Sequence, residues 1–433
     1  MSLRRAAALV VALVLLHAPA EAQSLRERIP QLFQYGGCGQ PLCLAGSLDQ
    51  GVHGSHFIGA AASANQTVLD FLSDAVGVSL GNIPISAASS GATFTFVDGV
   101  PVKTSSSAGP VFGERAPTLG RGRLLVGANV TSINFTTLRG RPIKDLNFNF
   151  THEDTDPTGP GNYGDPAFEN DYINANVALD LNLLATTAYL TYGLFDRLDI
   201  GVAVPYVYTT MQGSAIMQVI PAGTAGATPH FFAGTAENPI VRVGTNIEGT
   251  ATGIGDVAAR MKWNLSQAPK FSLSLLADAR FPTGDEDNFL GSGQSAVRGL
   301  AVMSGQYGDF SPHLNAGYLY RSGENQNNAM LATIGFDALL SPWATLAGDI
   351  ITEQQIGDNG LQLPGPVVFD TPFPRVVEPT DIPNKRDNLA SASLGMKFTT
   401  QNGVRIVVNG IFPLARAGLQ PDAVWTSGLE YTF

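Results

Sequence analysis

Charged residues and long hydrophobic runs are both scarce in this chain, and each scarcity excludes a class of protein. Only 14% of the 433 residues are Asp, Glu, Lys or Arg, against roughly 25% in ordinary soluble domains. Beyond the amino terminus, no run reaches the length of about 18 apolar residues that a membrane-spanning helix needs. The formal net charge of −11 argues against a nucleic-acid partner, which selects a basic surface. A composition poor in charge, with no such helix, predicts β-structure whose apolar side does not face a core.

The amino terminus has the composition of a secretory signal peptide. Arg4 and Arg5 form a basic start, residues 6–16 are apolar, and Ala20-Glu21-Ala22 is a small-residue cleavage site. We therefore predict that residues 1–22 are a signal peptide and that the protein is exported. The only two cysteines, Cys38 and Cys43, then meet an oxidising compartment, which predicts a local disulfide.

Runs of alternating apolar and polar residues recur from about residue 101 onward. Residues 271–281 have an apolar side chain at every second position, with Asp278 and Arg280 on the other face. Strands of a soluble sandwich also alternate. Closely spaced charges of opposite sign, however, suit a watery lumen, and aromatic residues near the strand ends are typical of membrane barrels. We predict that these charged residues line a lumen: Asp256, Arg260, Lys262, Asp278, Arg280, Arg405 and Glu430.

The connections between these runs alternate between short and long. SQAPK (266–270) and TTQNG (399–403) are short, whereas 212–252 and 353–387 are very long. Short periplasmic turns and long outer loops characterise outer-membrane barrels. The predicted fold is all-β: a transmembrane antiparallel barrel within residues 91–433, with about fourteen strands, twelve or sixteen being the alternatives. The predicted strands are 101–111, 121–136, 144–151, 176–192, 196–211, 253–266, 269–281, 297–306, 309–321, 327–340, 343–354, 388–400, 403–413 and 423–433.

The last strand carries a further indication of outer-membrane assembly. Leu429, Tyr431 and Phe433 share one face, and the chain ends on an aromatic residue. This resembles the assembly signal of bacterial outer-membrane proteins. The expected partners are therefore outer-membrane lipid, lipopolysaccharide and the barrel-assembly machinery.

Residues 23–90 do not alternate. Segment 63–77 has apolar residues, among them Leu72, at helical spacing. We interpret residues 23–90 as a plug with a short helix, the alternative being a periplasmic appendage. A barrel this wide needs a plug unless it is an open pore.

The loop 212–252 is unusually apolar for an outer loop. Two interpretations remain open: it packs into the mouth of the barrel, or it captures an apolar ligand. The candidate ligand-pathway residues are Ile216, Met217, Ile220, Phe231 and Phe232, with Pro205 and Leu72.

Residues able to perform chemistry are few. His53 and His56 are spaced like metal ligands, but a third ligand is not apparent, and the acidic loop 284–288 does not follow the calcium-loop spacing. His313 with Ser311 or Ser322 is the one hydrolase candidate, and it has no supporting motif. We predict no metal, no cofactor and no catalysis.

Pro205 interrupts the strand DRLDIGVAVPYVYTT, residues 196–210. Proline has no N–H to donate, and a closed barrel has no edge at which to place it. We predict a local bulge or kink there, which either shapes the wall or opens a gap between strands.

Four segments resemble the outer-membrane proteins of the phenol-degradation meta-pathway family, which are related to FadL-like channels. They are FGERAPTLGRGRL (112–124), DRLDIGVAVPYV (196–207), TGIGDVAARMKWNL (252–265) and FPTGDEDNFLGSG (281–293). The resemblance implies a barrel with an N-terminal hatch that passes small hydrophobic compounds, aromatic or fatty-acid-like, in some relatives through a lateral opening. A general water-filled porin and a structural or adhesive barrel are the alternatives.

Overall fold

The computed structural model describes residues 23–35, 41–42, 44, 94–97, 100–103, 107–151, 171–221, 230–235, 237–268, 270–323, 326–360, 362–370 and 373–433. The predicted signal peptide, Cys38, Cys43, Leu72 and the predicted helix 63–77 lie outside these residues, as do His53 and His56. In the described part of the chain, the helices are α1 (Leu25–Arg28) and a 3-10 turn (Pro30–Phe33). None of the described helices is long and apolar enough to cross a membrane.

Twelve antiparallel strands form a closed ring. Each strand pairs with the next ring strand along the chain, and the last, β21 (Leu419–Thr432), pairs with the first, β3 (Leu124–Leu138). The twelve are β3 (Leu124–Leu138), β6 (Tyr172–Phe195), β7 (Leu198–Ile220), β11 (Ala258–Ala268), β12 (Phe271–Arg280), β13 (Ala296–Gly305), β14 (Phe310–Arg321), β15 (Ala329–Ser341), β16 (Ala344–Gln355), β19 (Leu389–Thr399), β20 (Arg405–Pro413) and β21 (Leu419–Thr432). The predicted transmembrane barrel is confirmed, with twelve strands in the ring rather than fourteen.

The remaining strands lie outside the ring. They are β1 (Phe94–Val97), β2 (Val100–Lys103), β4 (Arg141–Pro142), β5 (Leu146–Thr151), β8 (Ala233–Thr235), β9 (Asn238–Ile240), β10 (Arg242–Ile254), β17 (Val367–Phe369) and β18 (Arg375–Val377). β1 and β2 pair only with each other. β6 and β7, at 24 and 23 residues, are about twice the length needed to cross a bilayer. Their far ends pair with β5 and β10 and extend the sheet beyond the ring.

Two predicted ring strands are therefore wrong. Residues 101–103 end β2, and residues 107–111 lie in no strand inside the barrel, where the Ala108 N–H donates to Thr345 Oγ1 of the wall (2.9 Å). Residues 144–151 contribute β5, which pairs with β6 only above the ring. The predicted loop 212–252 is also largely strand, since β7 continues to Ile220 and β10 begins at Arg242.

The outer face of the ring is apolar. Along β7, Ile200, Val202 and Val204 are exposed, whereas the alternating Ala203 and Val207 are buried. Large aromatic side chains that are exposed at the strand ends include Trp263, Phe271, Tyr307, Phe310, Trp343 and Phe433. An apolar belt flanked by aromatic residues is the surface of a barrel that spans a membrane.

Candidate functional site

The lumen is crossed by an extended segment, residues 107–119, which we call the lumen segment. Its backbone is not in a strand. Side chains of the barrel wall form hydrogen bonds with its backbone groups in place of a neighbouring strand. Asn315 accepts from the Glu114 N–H through Oδ1 (2.8 Å) and donates through Nδ2 to the Glu114 carbonyl (2.9 Å). Ala116 N–H donates to Ser304 Oγ (3.1 Å), and Leu119 N–H to Asp199 (2.9 Å). Buried backbone groups must be paired, so the polar wall holds this segment in place.

The Glu114 side chain joins the lumen segment to charges on the wall. Its carboxylate lies 2.6 Å from an Arg260 nitrogen and 3.6 Å from Lys262 Nζ. Arg260 also binds Asp278 (3.0 Å), which contacts Arg298 at 3.4 Å. Arg260, Asp278 and Arg298 are register partners on β11, β12 and β13. Buried charges need such pairing, and the lumen segment supplies the acidic partner.

His313 forms a second contact beneath the lumen segment. Its Nε2 lies 2.6 Å from Asp349 Oδ1, and both side chains are fully buried. A Cβ on Gly113 would lie 2.1 Å from His313 Nε2, so only glycine fits above this pair. The histidine considered for hydrolysis with Ser311 or Ser322 is thus paired with Asp349 beneath the lumen segment.

The end of the barrel with the long loops is closed by an apolar cluster, which we call the mouth core. It contains Leu25, Ile29, Leu32 and Phe33 of the amino-terminal segment. Tyr35 joins it, donates its hydroxyl to the Leu32 carbonyl (2.8 Å), and has its pKa raised by burial. From the extended sheet and loops the mouth core takes, among others, Phe148, Phe150, Met211, Met217, Val219, Phe232, Ile247, Phe289 and Leu290.

A cavity of about 250 Å³ remains in the lumen. Phe112 of the lumen segment lines it and also packs against the mouth core. Its polar wall carries Asp278, Arg280, Arg298, Arg321 and Glu353, and its apolar wall Leu300, Leu319, Leu331, Ile351, Leu389 and Ile411. The volume lies below the roughly 300–1,000 Å³ typical of drug-sized ligand sites, so the space suits a small molecule.

Pro205 lies where the wall changes partner. β7 pairs with β11 up to Ala203 and with β10 from Tyr206 onward, while its pairing with β6 runs through Pro205 without a shift. The kink predicted for β7 therefore lies in the segment that pairs with it, at residues 255–257 between β10 and β11. The Pro205 carbonyl still accepts from Gly255 N–H (2.9 Å).

Two of the segments that carry the family resemblance, 252–265 and 281–293, meet at this kink. Thr283 Oγ1 donates to the Gly255 carbonyl (2.7 Å) and accepts from Val257 N–H (2.9 Å). The Asp256 carboxylate accepts from Gly284 N–H (3.1 Å) and from Ser292 N–H (2.8 Å). GIGD of residues 253–256 and PTGD of residues 282–285 thus form one junction, which we call the wall junction.

The predicted lumen charges lie in three places. Arg260, Lys262, Asp278 and Arg280 are on the inner wall near the lumen segment or the cavity. Arg405 and Glu430 are 3.5 Å apart, with Lys397 also near Glu430, at the end with the short turns. Asp256 lies in no strand and holds the wall junction. Leu429 and Phe433 are exposed on the outer face, and Tyr431 packs on Phe433.

The predicted ligand-pathway residues lie apart from the cavity. Met217 and Phe232 are buried in the mouth core, Ile220 and Phe231 are half-buried, and Ile216 is exposed on the outer face of the extended sheet.

The sequence analysis did not identify the leucines that line the cavity, although one feature of the sequence indicates them. On β13, Arg298 and Leu300 share the inner face, so a strand that should alternate has apolar residues on both sides. Among the described residues, no group of three or more His, Cys, Asp or Glu side chains could hold a metal.

Residues 175–359 match the family described as "Putative MetA-pathway of phenol degradation". The matched segment is less than half of the chain, runs from β6 to beyond β16, and includes the wall junction. The resemblance predicted from the sequence is confirmed over this segment. No curated protein matches the chain.

Several solved structures are similar to this chain. The COG4313 outer membrane channel from Pseudomonas putida F1 is 12% identical, with 73% of this chain and 98% of that chain covered and a TM-score of 0.42. A Pseudomonas aeruginosa FadL homologue is 10% identical over 72% and 88%, with a TM-score of 0.29. The TodX deltaS2S3 mutant monoaromatic hydrocarbon channel is 10% identical over 73% and 92%, with a TM-score of 0.32. These TM-scores are too low to carry an argument about the fold. The barrel is assigned from the pairing of β21 with β3, which closes the ring of this chain.

Proposed function

We propose that this chain is an outer-membrane channel that passes small hydrophobic compounds passively. The observation that carries the proposal is the lumenal cavity with its wall of aliphatic side chains, including Leu300, Leu331 and Ile351. Apolar solutes need a route past the polar surface of the outer membrane, and such a cavity removes them from water. The end with the short turns is then periplasmic and the end with the long loops faces outward.

A general porin is less well supported. Porins keep an aqueous channel, whereas here the lumen segment crosses the barrel and the mouth core covers its other end. Residues 23–90, of which 23–35, 41–42 and 44 are described, serve as the hatch in this proposal. Lipopolysaccharide and the barrel-assembly machinery remain proposed partners, the latter through Leu429, Tyr431 and Phe433. We propose no metal, cofactor or catalytic step.

Uptake by whole cells tests the proposal. Gram-negative cells that express the chain should take up a radiolabelled small aromatic compound at least threefold faster than cells without it. Leu331→Trp should remove most of the gain, because the larger side chain fills the cavity. The matched control is Leu340→Trp on the same strand, where Leu340 is exposed to lipid.

Single-channel recording supplies the opposing outcome. The wild-type chain in a planar bilayer should show little stable current. A large, long-lived open-channel current would replace the proposal with the porin alternative. If cells with and without the chain take up the compound equally, and the heat-dependent shift on a gel shows that the barrel is folded, a structural or adhesive role would remain.

A further inference from the structure

The cavity has two chemically different halves, and their arrangement follows from the strand order. Arg280, Arg298 and Arg321 lie on three consecutive strands, β12 to β14, near the ends that lead to the long loops. The apolar half continues around the ring, with Leu331 on β15, Ile351 on β16 and Leu389 on β19. A neutral hydrocarbon would use only the second half.

The polar half carries more positive than negative charge. Three arginines and two carboxylates, Asp278 and Glu353, line the cavity. Glu353 binds Arg321 at 2.8 Å, and Asp278 is shared between Arg260 at 3.0 Å and Arg298 at 3.4 Å. Arg280 interacts in addition with Asp256, which lies outside the lining.

Arg298 is the arginine best placed to meet a ligand. Its side chain is 33% exposed, against 4% for Arg321, and its contact with Asp278 is longer than that of Arg260. A guanidinium binds a carboxylate through two parallel hydrogen bonds. Because Leu300 follows Arg298 on the same inner face, a ligand held by its carboxylate would extend its apolar part along the aliphatic wall.

We infer that the cavity is a binding site for small amphipathic carboxylates, such as aromatic or short aliphatic acids, with the carboxylate on Arg298. This inference rests on the proposed function, since it names the substrate class of the same channel. The cavity volume of about 250 Å³ limits the ligand to a small acid.

Titration calorimetry on the full chain in a non-ionic detergent tests the inference with two probes of similar shape, benzoate and its neutral amide, benzamide. Wild-type protein should bind benzoate at least tenfold more tightly than benzamide. Arg298→Met should weaken benzoate binding tenfold or more and leave benzamide binding unchanged. Asp278 keeps Arg260 as a partner, so this variant should fold. The control is Arg242→Met, on the exposed face of β10 and outside the cavity.

The outcomes separate the inference from the proposed function. Equal binding of the two probes by wild-type protein, or unchanged benzoate binding in Arg298→Met, would overturn the carboxylate site while uptake of neutral aromatics could still support the channel. The first comparison needs only wild-type protein, so a misfolded variant leaves the inference testable. Absence of both binding and uptake would overturn both.

Discussion

Single residues at the wall junction determine how the closed sheet tolerates a break in the hydrogen bonds between β7 and its neighbours. Pro205 cannot donate, and the chain opposite it leaves strand geometry for residues 255–257. Of the backbone groups freed there, the Gly255 carbonyl and the Val257 N–H bind Thr283, and the Gly255 N–H donates to the Pro205 carbonyl. A kink held by specific side chains on two segments is a built feature of the wall.

Pro205→Val tests whether this junction is a route out of the barrel. Valine restores an N–H and favours strand geometry, so residues 255–257 can pair more closely with β7. If small hydrophobic compounds leave sideways, uptake by whole cells should fall at least twofold while the barrel still folds. Pro312→Val, in β14 and remote from the junction, is the control. Equal uptake by both variants would mean that Pro205 only shapes the wall.

Gly113 carries a separate test of the lumen segment. A Cβ at this position would meet the buried His313–Asp349 pair, and Gly335 lies so close to the same pair that it has no room to yield. Gly113→Ala should therefore cost about 1–3 kcal/mol through overpacking and lower the midpoint of the heat-dependent gel shift. Gly299→Ala has no neighbour within 4 Å of the new Cβ and should leave the midpoint unchanged. Equal midpoints would show that the lumen segment does not pack on this pair.

At the scale of elements, alternation and turn length predicted the wall well. A strand that faces lipid on one side and a polar lumen on the other has a strict period of two, and all eleven predicted ranges between residues 176 and 433 overlap ring strands of the structure. The same rule failed for residues 101–111. Residues 107–111 are all buried and do not alternate in environment, and their partners are side chains of distant strands, which local periodicity cannot identify.

The mouth core accounts for two further features of the sequence. Apolar residues of β3 change face after Val130, which predicts a bulge, and the pairing of β3 with β21 shifts register on both sides of Phe135. Ile133 and Phe135 point inward because the lumen becomes apolar where the mouth core fills it. The apolar segment after Thr210 has the same cause, since Met217 and Phe232 pack against the amino-terminal segment. Of the two interpretations of that segment, self-packing accounts for these buried residues.

At the scale of the whole molecule, the barrel has two closures in series. The mouth core closes the end with the long loops, and the lumen segment crosses the polar interior nearer the end with the short turns. The two closures are in contact, since Phe112 of the lumen segment packs against the mouth core, and the loop after PTGD binds the amino-terminal segment. Asp287 accepts from Arg26 N–H (2.8 Å), and Asn288 from Leu25 N–H (3.2 Å). An ion crossing the barrel must pass both closures, so either alone should hold the current low.

A double variant tests this arrangement. Replacing residues 23–44 with a Gly/Ser linker of equal length removes the amino-terminal part of the mouth core but leaves the ring closed by β21 and β3. Alone, this change should give little stable current in planar bilayers, because the lumen segment still blocks the barrel. Gly113→Ala alone should also conduct poorly, because the mouth core remains. Together they should conduct at least tenfold more than either single variant, since the larger of two resistances in series limits the current.

A stable current from the linker variant alone would place the whole barrier in the amino-terminal segment. A double variant that carries no stable current would place the barrier in neither closure.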